Sequence, residues 1–415
     1  MSTIAWLIPS LLEGSGGHRT ILQNAEFLSR NGFKTTLYLE RRRRSNVGET
    51  PAQTIERLYG CRFDDVRVGW DRIGKADLTV ATIWHSAAVV ARLTHATHGL
   101  YFVQDWEPMF FAMGDDALRA ERSYQLGLTP ITIGRWLQIQ LQRQGSLPGG
   151  YFDFCADLST YRPLPQSARE DAIAFICQPE KPRRAAMLGL EALAIVKALR
   201  PQTRIYLYGS VDALQWSVEH RSLGLIGVSD CNALYNLCSV GLCLSTSNPS
   251  RIPFEMMASG LPVVELHRDN TVYDLPAGAC LLCEPEPAAI AEALLQRLEY
   301  PKERELARAA ALAFMASRDI AGGMQQLLCV MQGVAGGEPA DSQPIDPFYA
   351  APPVRASERT RAVLRTPAWQ AQSRLLRARR KKRFKLGRQL KTIMAVVKSR
   401  FAVRGRAPRS PSGTR

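Results

Sequence analysis

The sequence lacks an apolar run long enough to cross a membrane, since none approaches the roughly 18 residues that a spanning helix needs. The amino-terminal stretch MSTIAWLIPS has no basic region, and its apolar part is too short for a secretory signal. These absences argue against an integral membrane protein and against export. We therefore expect a cytoplasmic protein that does not cross a membrane by itself.

The cysteines do not follow the spacing of a disulfide or zinc framework. The chain has nine, an odd number, and they stand in apolar stretches such as AFICQ and VGLCL, which is typical of reduced, buried thiols. Cys280 and Cys283 form one Cys-x-x-Cys pair, but no second pair lies at zinc-ribbon spacing. Core packing is the simpler interpretation of this pair, and a metal site is the alternative.

Charge is distributed very unevenly along the chain. The formal net charge is +15, but residues 355–415 hold 20 of the 53 lysines and arginines and a single acid, Glu358. The basicity therefore belongs to a C-terminal tail. Within it, residues 374–401 combine cations with apolar residues at helical spacing, which predicts an amphipathic helix on an anionic membrane surface. Nonspecific nucleic-acid binding and a tail without function are the alternatives.

The pattern of apolar segments predicts an α/β protein with two domains. Short strands such as TIAWLIP alternate with amphipathic segments such as HRTILQNAEFLSRNG, the order that produces a parallel sheet covered by helices. The alternation stops at the polar stretch DFCADLSTYRPLP and restarts at AIAFICQ. We predict domains over 1–160 and 161–320, a linker over 321–354, and a basic tail over 355–415 that is partly helical or disordered.

The stretch SNPSRIPFEMMASGLPVVE predicts a carboxylate at the start of a short helix. Pro253 suits the first helical position, and Gly260 with Pro262 supplies the stop. Glu255 then lies in the first turn, after a polar loop that carries Arg251. Such a helix points its free N–H groups at the carboxyl edge of a parallel sheet, where phosphate binds. In the alternative interpretation, Glu255 only complements the helix dipole.

Several segments resemble retaining family-4 glycosyltransferases. DFCADLSTYRP is similar to the interdomain segment of that family, commonly Gly-Val-Asp-x-x-x-Phe-x-Pro. GLIGVSDCNALYNLCSVGLCLSTSNPSRIPFEMMASGLPVVE is similar to its nucleotide-binding region, where a Glu-x7-Glu motif ends in Glu-Ala-Met-Ala-x-Gly-x-Pro-Val-Val. The segments YFVQDWEPMF and QPEKPRRAAMLGLEAL most resemble bacterial rhamnosyltransferases that build surface polysaccharides. The resemblance covers about residues 1–318.

This resemblance implies the GT-B architecture, in which two Rossmann-like domains face each other across a cleft. The first would be the acceptor side, and the second would bind a nucleotide sugar. The resemblance also implies that Glu255 contacts the ribose, next to Arg251 and Ile252 at the helix start. One position departs from the family: the other glutamate of the motif, eight residues before Glu255, is Ser247 here, and this change bears on the contact to the donor sugar.

A departing pyrophosphate must be stabilised by cations or a metal. The sequence contains no Asp-x-Asp triplet of the kind that holds a metal in GT-A enzymes, so we expect cations. Lys181, Arg183 and Arg184 follow the strand AIAFIC where the next helix begins. The usual arginine of the family aligns with Gln178, so Arg183 and Lys181 are predicted to replace it. A solvated basic turn is the alternative.

The first domain offers three further candidates: a glycine loop, a histidine and an aspartate. The segment EGSGGHRT places Gly16 and Gly17 in a βα turn. The resemblance implies that this loop approaches the donor. The alternative is that the glycines are needed only for the geometry of a tight turn. His18 would reach the same cleft or be an exposed residue at the helix start. Asp105 follows the strand GLYFV, so it is predicted at the sheet edge, where a carboxylate orients an acceptor hydroxyl or accepts its proton. A simple turn aspartate is the alternative.

The resulting hypothesis is a retaining glycosyltransferase that moves a sugar, rhamnose, from a nucleotide diphosphate, dTDP-rhamnose, to a polysaccharide or lipid-linked glycan. No cofactor, metal or nucleic-acid partner is expected, and the protein would lie on the inner face of the plasma membrane. The alternative is a catalytically degenerate α/β protein that binds membranes or nucleic acids through its tail. The predicted catalytic residues are Asp105 and His18, and the predicted donor-binding residues are Gly16, Gly17, Lys181, Arg183, Arg184, Arg251, Ile252 and Glu255.

Overall fold

A computed structural model describes residues 2–41, 48–95, 97–165, 169–211, 216–337, 345–376 and 378. Within these ranges the chain forms two parallel β-sheets, one built from the first part of the chain and one from the second. The prediction of an α/β fold with two Rossmann-like domains is therefore confirmed.

The first sheet contains seven parallel strands. They are β1 (Ser2–Ile8), β2 (Phe33–Leu39), β3 (Val66–Val68), β4 (Leu78–Ala81), β5 (His98–Val103), β6 (Thr129–Ile133) and β7 (Gly150–Phe152). Their order is β3-β2-β1-β4-β5-β6-β7, so the direction of strand addition reverses between β1 and β4. Strand β1 is buried from Ile4 to Ile8, as expected where helices cover both faces of a parallel sheet.

The second sheet contains six parallel strands. They are β8 (Glu170–Ile176), β9 (Arg204–Tyr208), β10 (Arg221–Ser222), β11 (Cys238–Leu242), β12 (Val263–Leu266) and β13 (Cys280–Cys283). Their order is β10-β9-β8-β11-β12-β13, and here the direction reverses between β8 and β11. In open α/β sheets, ligands bind at the carboxyl ends of the strands beside such a reversal.

Thirteen α-helices lie in the described part of the chain. They are α1 (Gly16–Arg30), α2 (Pro51–Tyr59), α3 (Trp84–Val90), α4 (Asp115–Ser123), α5 (Arg135–Arg143), α6 (Ala186–Leu199), α7 (Val228–Leu237), α8 (Ile252–Ala258), α9 (Asp269–Val272), α10 (Pro287–Glu299), α11 (Pro301–Met315), α12 (Ile320–Gly336) and α13 (Glu358–Leu364). Two short 3₁₀ helices, Glu107–Phe110 and Pro182–Arg184, follow β5 and β8.

Helices α6 and α10 pack against each other in the second core. Leu190 and Leu193 of α6 are fully buried, as are Ile290 and Leu294 of α10. Full burial of a side chain of this size stabilises the fold by about 1.5 to 3 kcal/mol. This core includes residues of β8 and β11, the strands that precede the candidate donor residues.

The segment predicted as a linker, 321–354, is structured where it is described, so that prediction is wrong. Helix α12 returns to the first domain and packs on β7 and α1. A Cβ on Gly150 of β7 would lie 2.5 Å from Val330, so glycine is needed for this close approach. Further on, Val354 N donates to Leu282 O of β13. The many glycines of α12 concealed an apolar stripe, buried at Leu327, Leu328 and Met331.

The start of the predicted basic tail belongs to the second domain. Ser357 caps α13, which packs on α6 and α10. Arg359 forms a salt bridge with Glu299 at 2.8 Å, and Ser373 donates to Glu191 at 3.0 Å. Of the predicted membrane segment 374–401, all but residues 374–376 and 378 lie outside the described residues. Among the helices that the structure describes, none has the length and apolar character to cross a bilayer.

Candidate functional site

The candidate site lies where the carboxyl edges of the two sheets meet. On the second domain, the loop after β8 carries Lys181 and Arg183, and the loop after β11 carries Ser247 and Asn248. These two loops flank the reversal between β8 and β11. On the first domain, Asp105 follows β5 and contacts both loops. The predicted placement of cations and Asp105 at sheet edges therefore brings them together.

The three predicted cations have different environments. Arg184 is buried and its Nη1 donates to Ser245 Oγ at 2.7 Å. Arg183 and Lys181 are half-buried, and burial lowers the pKa of both. The guanidinium of Arg183 lies over the Phe110 ring of the first domain at 4.5 Å. Among the described residues, the buried Nε of Arg183 has no hydrogen-bond partner.

Asp105 connects the two domains. Its Oδ1 accepts from Asn248 N at 2.8 Å and from Trp106 N at 2.9 Å, and its Oδ2 accepts from Ser247 Oγ at 3.2 Å. Arg183 Nε lies 3.7 Å from Oδ2, an ion-pair distance without a hydrogen bond. Burial raises the pKa of Asp105, opposed by Arg184 and Arg183. The geometry thus gives Asp105 a bridging role, and its role toward an acceptor stays a prediction.

Ser247 and Asn248 make contacts in the site that the sequence did not predict. Ser247, which departs from the family motif, presents its hydroxyl to the Asp105 carboxylate. Asn248 Nδ2 donates to Gln104 O at 2.9 Å and to Ile133 O at 3.1 Å, at the ends of β5 and β6. Both residues are fully buried. The sequence signal was the polar stretch SNPS after a buried strand, but nothing in it showed that the partners lie in the other domain.

A second interdomain contact lies at the start of α5. Asp274 Oδ1 accepts from Arg135 N at 2.8 Å, and Oδ2 accepts from Trp136 N at 3.2 Å. A carboxylate of the second domain therefore caps a helix of the first. Burial raises the pKa of Asp274 to about 7. Phe154 and Phe254 stack beside it with ring centroids 4.7 Å apart.

Glu255 lies in the first turn of α8, as predicted, with Pro253 in the same turn. It is half-buried and hydrogen-bonds the Tyr161 side chain. Burial raises its pKa to about 7, opposed by Arg251 and by that hydrogen bond. Arg251 Nη1 lies 3.5 Å from Gln23 Oε1 of α1, so the loop before α8 faces the first domain. Ile252 begins α8 and is half-buried.

The glycine loop of the first domain leads into α1 as predicted. Gly16 is the first residue of α1, and a Cβ on Gly17 would contact Gln104, next to Asp105. His18 is buried: Nδ1 lies 2.9 Å from Ser15 Oγ, and Nε2 lies 3.3 Å from Pro9 O. The ring also stacks on Tyr59. The exposed alternative for His18 is wrong, and its catalytic role stays a prediction.

The cysteine pair lies in the core. Cys280 and Cys283 are buried on β13, and Cys280 Sγ lies 3.7 Å from Met257 Sδ. Burial raises the pKa of both thiols, which disfavours the thiolate that binds metals. No group of three or more His, Cys, Asp or Glu residues in the described ranges is arranged to hold a metal ion.

The chain is similar in sequence to known proteins. Residues 171–295, the core of the second domain, match the family model of the WsaF C-terminal domain. The chain is 30% identical over 312 residues to the O-antigen biosynthesis protein RfbC of Myxococcus xanthus. The aligned region covers 70% of this chain. The chain spans 24% of the length of that relative.

Solved structures share the whole two-domain architecture. The Anabaena protein Alr3699/HepE in complex with UDP and glucose matches with a TM-score of 0.63 at 16% identity, over 80% of this chain and 100% of that one. Sucrose-phosphate synthase from Thermosynechococcus elongatus matches with a TM-score of 0.60 at 14% identity, over 81% of this chain and 100% of that one. At such identities the likeness concerns the fold.

The fold and the comparisons together define an α/β protein with two Rossmann-like domains and the GT-B fold. More particularly, its second domain is similar to the WsaF C-terminal domain, and its sequence is similar to a protein of O-antigen biosynthesis.

Proposed function

We propose that this protein is a glycosyltransferase that transfers rhamnose from dTDP-rhamnose to a polysaccharide or lipid-linked glycan, with retention at the anomeric carbon. The observation that carries the proposal is the convergence of Lys181, Arg183 and Arg184 at the strand reversal of the second sheet, opposite Asp105 of the first domain. The similarity to an O-antigen biosynthesis protein supports a polysaccharide product.

The cations suit a nucleotide diphosphate because their charge is poorly offset within the protein. Burial lowers the pKa of Lys181, and the nearby charges of Arg183 and Arg184 lower it further. Asp105 is the carboxylate that forms an ion pair with Arg183, at 3.7 Å. A diphosphate beside the Arg183 guanidinium and the Lys181 ammonium would add negative charge to this cluster of cations. The protein groups would then already be in place when charge develops on the leaving phosphate.

Glu255 and Arg251 are proposed to hold the nucleoside end. An ionised carboxylate only accepts hydrogen bonds, so Glu255 suits the two hydroxyls of a ribose or the single hydroxyl of a deoxyribose. Its pKa of about 7 means that a hydroxyl donor would favour the ionised form on binding. Tyr161 orients the carboxylate from the interdomain segment.

In the proposed reaction, the bond between the sugar anomeric carbon and the diphosphate oxygen breaks, and a bond to the acceptor hydroxyl oxygen forms on the same face. The acceptor proton passes to the departing phosphate oxygen. Arg183 and Lys181 stabilise the charge that develops on this phosphate. This scheme requires no protein base, which agrees with an Asp105 carboxylate already occupied by Ser247 and Asn248.

The function is tested by thermal unfolding of the full chain with UDP, dTDP, GDP, UDP-glucose and dTDP-rhamnose. A ligand at 100 times its Kd stabilises the folded state by about 2.7 kcal/mol, which gives a measurable rise in Tm. We expect the largest rise with dTDP-rhamnose. A rise with another nucleotide sugar alone would overturn rhamnose but retain the transferase. No rise with any of the five would overturn the transferase and favour a degenerate binding protein.

Retention is tested separately on the product. The full chain is incubated with dTDP-rhamnose and an O-antigen oligosaccharide, and the new linkage is examined by NMR. Retention predicts that the anomeric configuration of the product equals that of the donor. The opposite configuration would exclude the same-face scheme and would require a protein base at the site.

A further inference from the structure

Four ring side chains form a row along the carboxyl edge of the first sheet, apart from the residues assigned above. Trp70 lies 5.5 Å from His85, His85 lies 5.2 Å from Trp84, and Trp84 lies 6.2 Å from Phe111, measured between ring centroids. All four are half-buried, so each keeps surface toward solvent. We name this set the aromatic row. It spans the loops after β3, β4 and β5, and so crosses the reversal between β1 and β4.

Two members of the aromatic row, Trp70 and Trp84, form hydrogen bonds with the first domain. Trp70 Nε1 donates to Tyr38 O at 2.8 Å. Trp84 N donates to Glu107 Oε2 at 3.0 Å, and Glu107 is itself buried and accepts from Tyr101 OH at 2.7 Å. The Trp70 ring and the Trp84 backbone are therefore fixed before a ligand binds, which lowers the entropy cost of binding.

A carboxylate stands beside the rings. Glu40 follows β2, and its Oε1 lies 3.4 Å from His85 Nε2. Its Oε2 accepts from Ser10 N at 3.1 Å and from Ser10 Oγ at 3.2 Å. The side chains of Glu40 and His85 are 38% and 33% exposed, so both reach solvent beside the indole rings.

The chemistry of this surface selects among ligand classes. Burial lowers the pKa of His85 despite the neighbouring Glu40, which favours the neutral imidazole. Arg41, the first of four consecutive arginines after Glu40, pairs with Asp71 at 3.5 Å. A negative group disfavours phosphates, and a charged group disfavours a lipid chain. Apolar ring faces beside hydrogen-bonding groups suit a neutral ligand with C–H faces and hydroxyls.

The aromatic row is continuous with the candidate donor site. Phe111 at its end is adjacent in sequence to Phe110, whose ring lies under the Arg183 guanidinium at 4.5 Å. The same loop begins at Asp105, which contacts Ser247 of the second domain. A ligand on the row therefore extends toward the cations that are proposed to hold the donor diphosphate.

We propose that the aromatic row, with Glu40 and His85, is a binding subsite for one neutral pyranose unit of the glycan acceptor. The Trp84 and Trp70 rings contact the C–H face of the sugar, and Glu40 accepts hydrogen bonds from its hydroxyls. This inference rests on the proposed function, because it assigns the acceptor of that reaction.

The test measures sugar binding without turnover. Saturation-transfer NMR is recorded on the full chain with methyl α-L-rhamnopyranoside, methyl α-D-mannopyranoside and methyl α-D-glucopyranoside. We expect saturation of the C–H protons of at least one sugar, and at least tenfold weaker binding in Trp84→Ala and Glu40→Gln. Trp84→Phe should retain most of the binding. Tyr300→Ala removes a ring that is 53% exposed on the second domain and serves as the matched control.

The outcomes separate this inference from the proposed function. dTDP binding is measured in parallel by thermal unfolding, and Trp84→Ala should bind dTDP like the wild type. dTDP binding without binding of any of the three sugars would overturn the subsite and leave the transferase intact. Sugar binding that is equal in Trp84→Ala and wild type would also overturn the subsite. Competition between inorganic phosphate and the sugar would overturn the assignment of a neutral ligand. As a folding control, Trp84→Ala should have the wild-type Tm in the absence of ligand.

Discussion

The Asp105 carboxylate of the first domain accepts a hydrogen bond from the backbone N–H of Asn248 in the second domain, at 2.8 Å. The Ser247 hydroxyl donates to the other oxygen of the same carboxylate. Because Ser247 and Asn248 follow β11, these bonds connect the donor side of the site to the end of β5. One side chain therefore takes part both in the domain contact and in the geometry of the site.

The first prediction concerns the coupling between Asp105 and Ser247. In a double-mutant cycle, Asp105→Ala and Ser247→Ala should show an interaction energy of about 0.5 to 3 kcal/mol, because residues in one buried network are not additive. Urea unfolding of the wild type, the two single variants and the double variant provides the measurement. A control cycle pairs Asp105→Ala with Ser222→Ala, an exposed serine of β10. Coupling no larger than in the control would contradict the bridge.

The second prediction concerns Arg183. Arg183→Gln should weaken dTDP binding at least tenfold, a loss of about 1.4 kcal/mol, because an amide cannot supply the charge that a diphosphate requires. Isothermal titration calorimetry measures this loss. Arg221→Gln removes an exposed arginine of the same domain and should leave the dTDP affinity unchanged. Equal affinities in both variants would place the diphosphate elsewhere.

The third prediction concerns Arg169, whose guanidinium donates to four backbone carbonyls. Its Nη1 bonds Tyr235 O and Cys238 O, and its Nη2 bonds Ser259 O and Gly260 O. It thus ties the end of α8 to the start of β11. Arg169→Met should lower the free energy of unfolding by about 3 kcal/mol, because buried carbonyls lose their donors.

Arg169→Lys should give a smaller loss, since an ammonium supplies three donors instead of the planar set of five. Chemical unfolding with urea measures both variants, and Arg119→Met, at an exposed position of α4, is the control. A loss for Arg169→Met as small as that of the control would show that these carbonyls are satisfied by other donors.

The fourth prediction is a pH dependence that originates at Glu265. Burial raises the pKa of Glu265 to about 8, well above its ordinary value of 4.5. The folded state therefore retains a proton that the unfolded state loses, so this contribution to stability is present below about pH 4.5 and is lost progressively up to about pH 8. Glu265→Gln keeps an acceptor for Ser245 N and Leu266 N but does not titrate.

Unfolding free energies of wild type and Glu265→Gln, measured from pH 5 to pH 9, should diverge as the pH rises, with the variant losing less. Glu303→Gln, at an exposed position of α11, should follow the wild type. Parallel curves for all three proteins would mean that Glu265 is ionised in the folded state throughout this range.

The fifth prediction concerns the basic tail. Deletion after residue 378 should keep the wild-type Tm, because the contacts of α13 and Ser373 with the second domain remain. The shortened chain should lose co-sedimentation with phosphatidylglycerol vesicles, since each removed cation contributes about 1 kcal/mol near an anionic surface. Deletion after residue 344 should instead lower the Tm. Unchanged vesicle binding after deletion at 378 would remove the anchor proposal.

The sequence predicts the long central strands and the short helix at Glu255 well, because each carries its own periodic or capping signal. TIAWLIP, GLYFVQD and VGLCLST correspond to β1, β5 and β11, and the proline and glycine around Glu255 mark the bounds of α8 closely. The short edge strands β3, β7 and β10 have at most three residues each and were not predicted. Three residues show no alternation from which a strand could be recognised.

The candidate site could be predicted only in part, because its key contacts join residues distant in sequence. Strand ends indicate that Asp105 and Arg183 lie at sheet edges, but not that the two edges meet. The contact between Asp105 and Ser247 spans 142 positions, and the capping of α5 by Asp274 spans 139 for its nearer bond. From the neighbouring sequence alone, such residues are predicted to stabilise a turn or cap a helix. Only the packing of the two domains shows which residue of the other domain each one contacts.

Helix α12 has a consequence for synthesis of the chain on the ribosome. It covers β7, which ends at Phe152, yet it begins only at Ile320. At 5 to 20 residues per second, translation separates the two by roughly 10 to 30 s. During this delay the edge of the nascent first domain is bare, and an uncovered strand edge invites aggregation. We expect chaperone assistance during translation to matter more for this protein than for one whose domains are completed in sequence order.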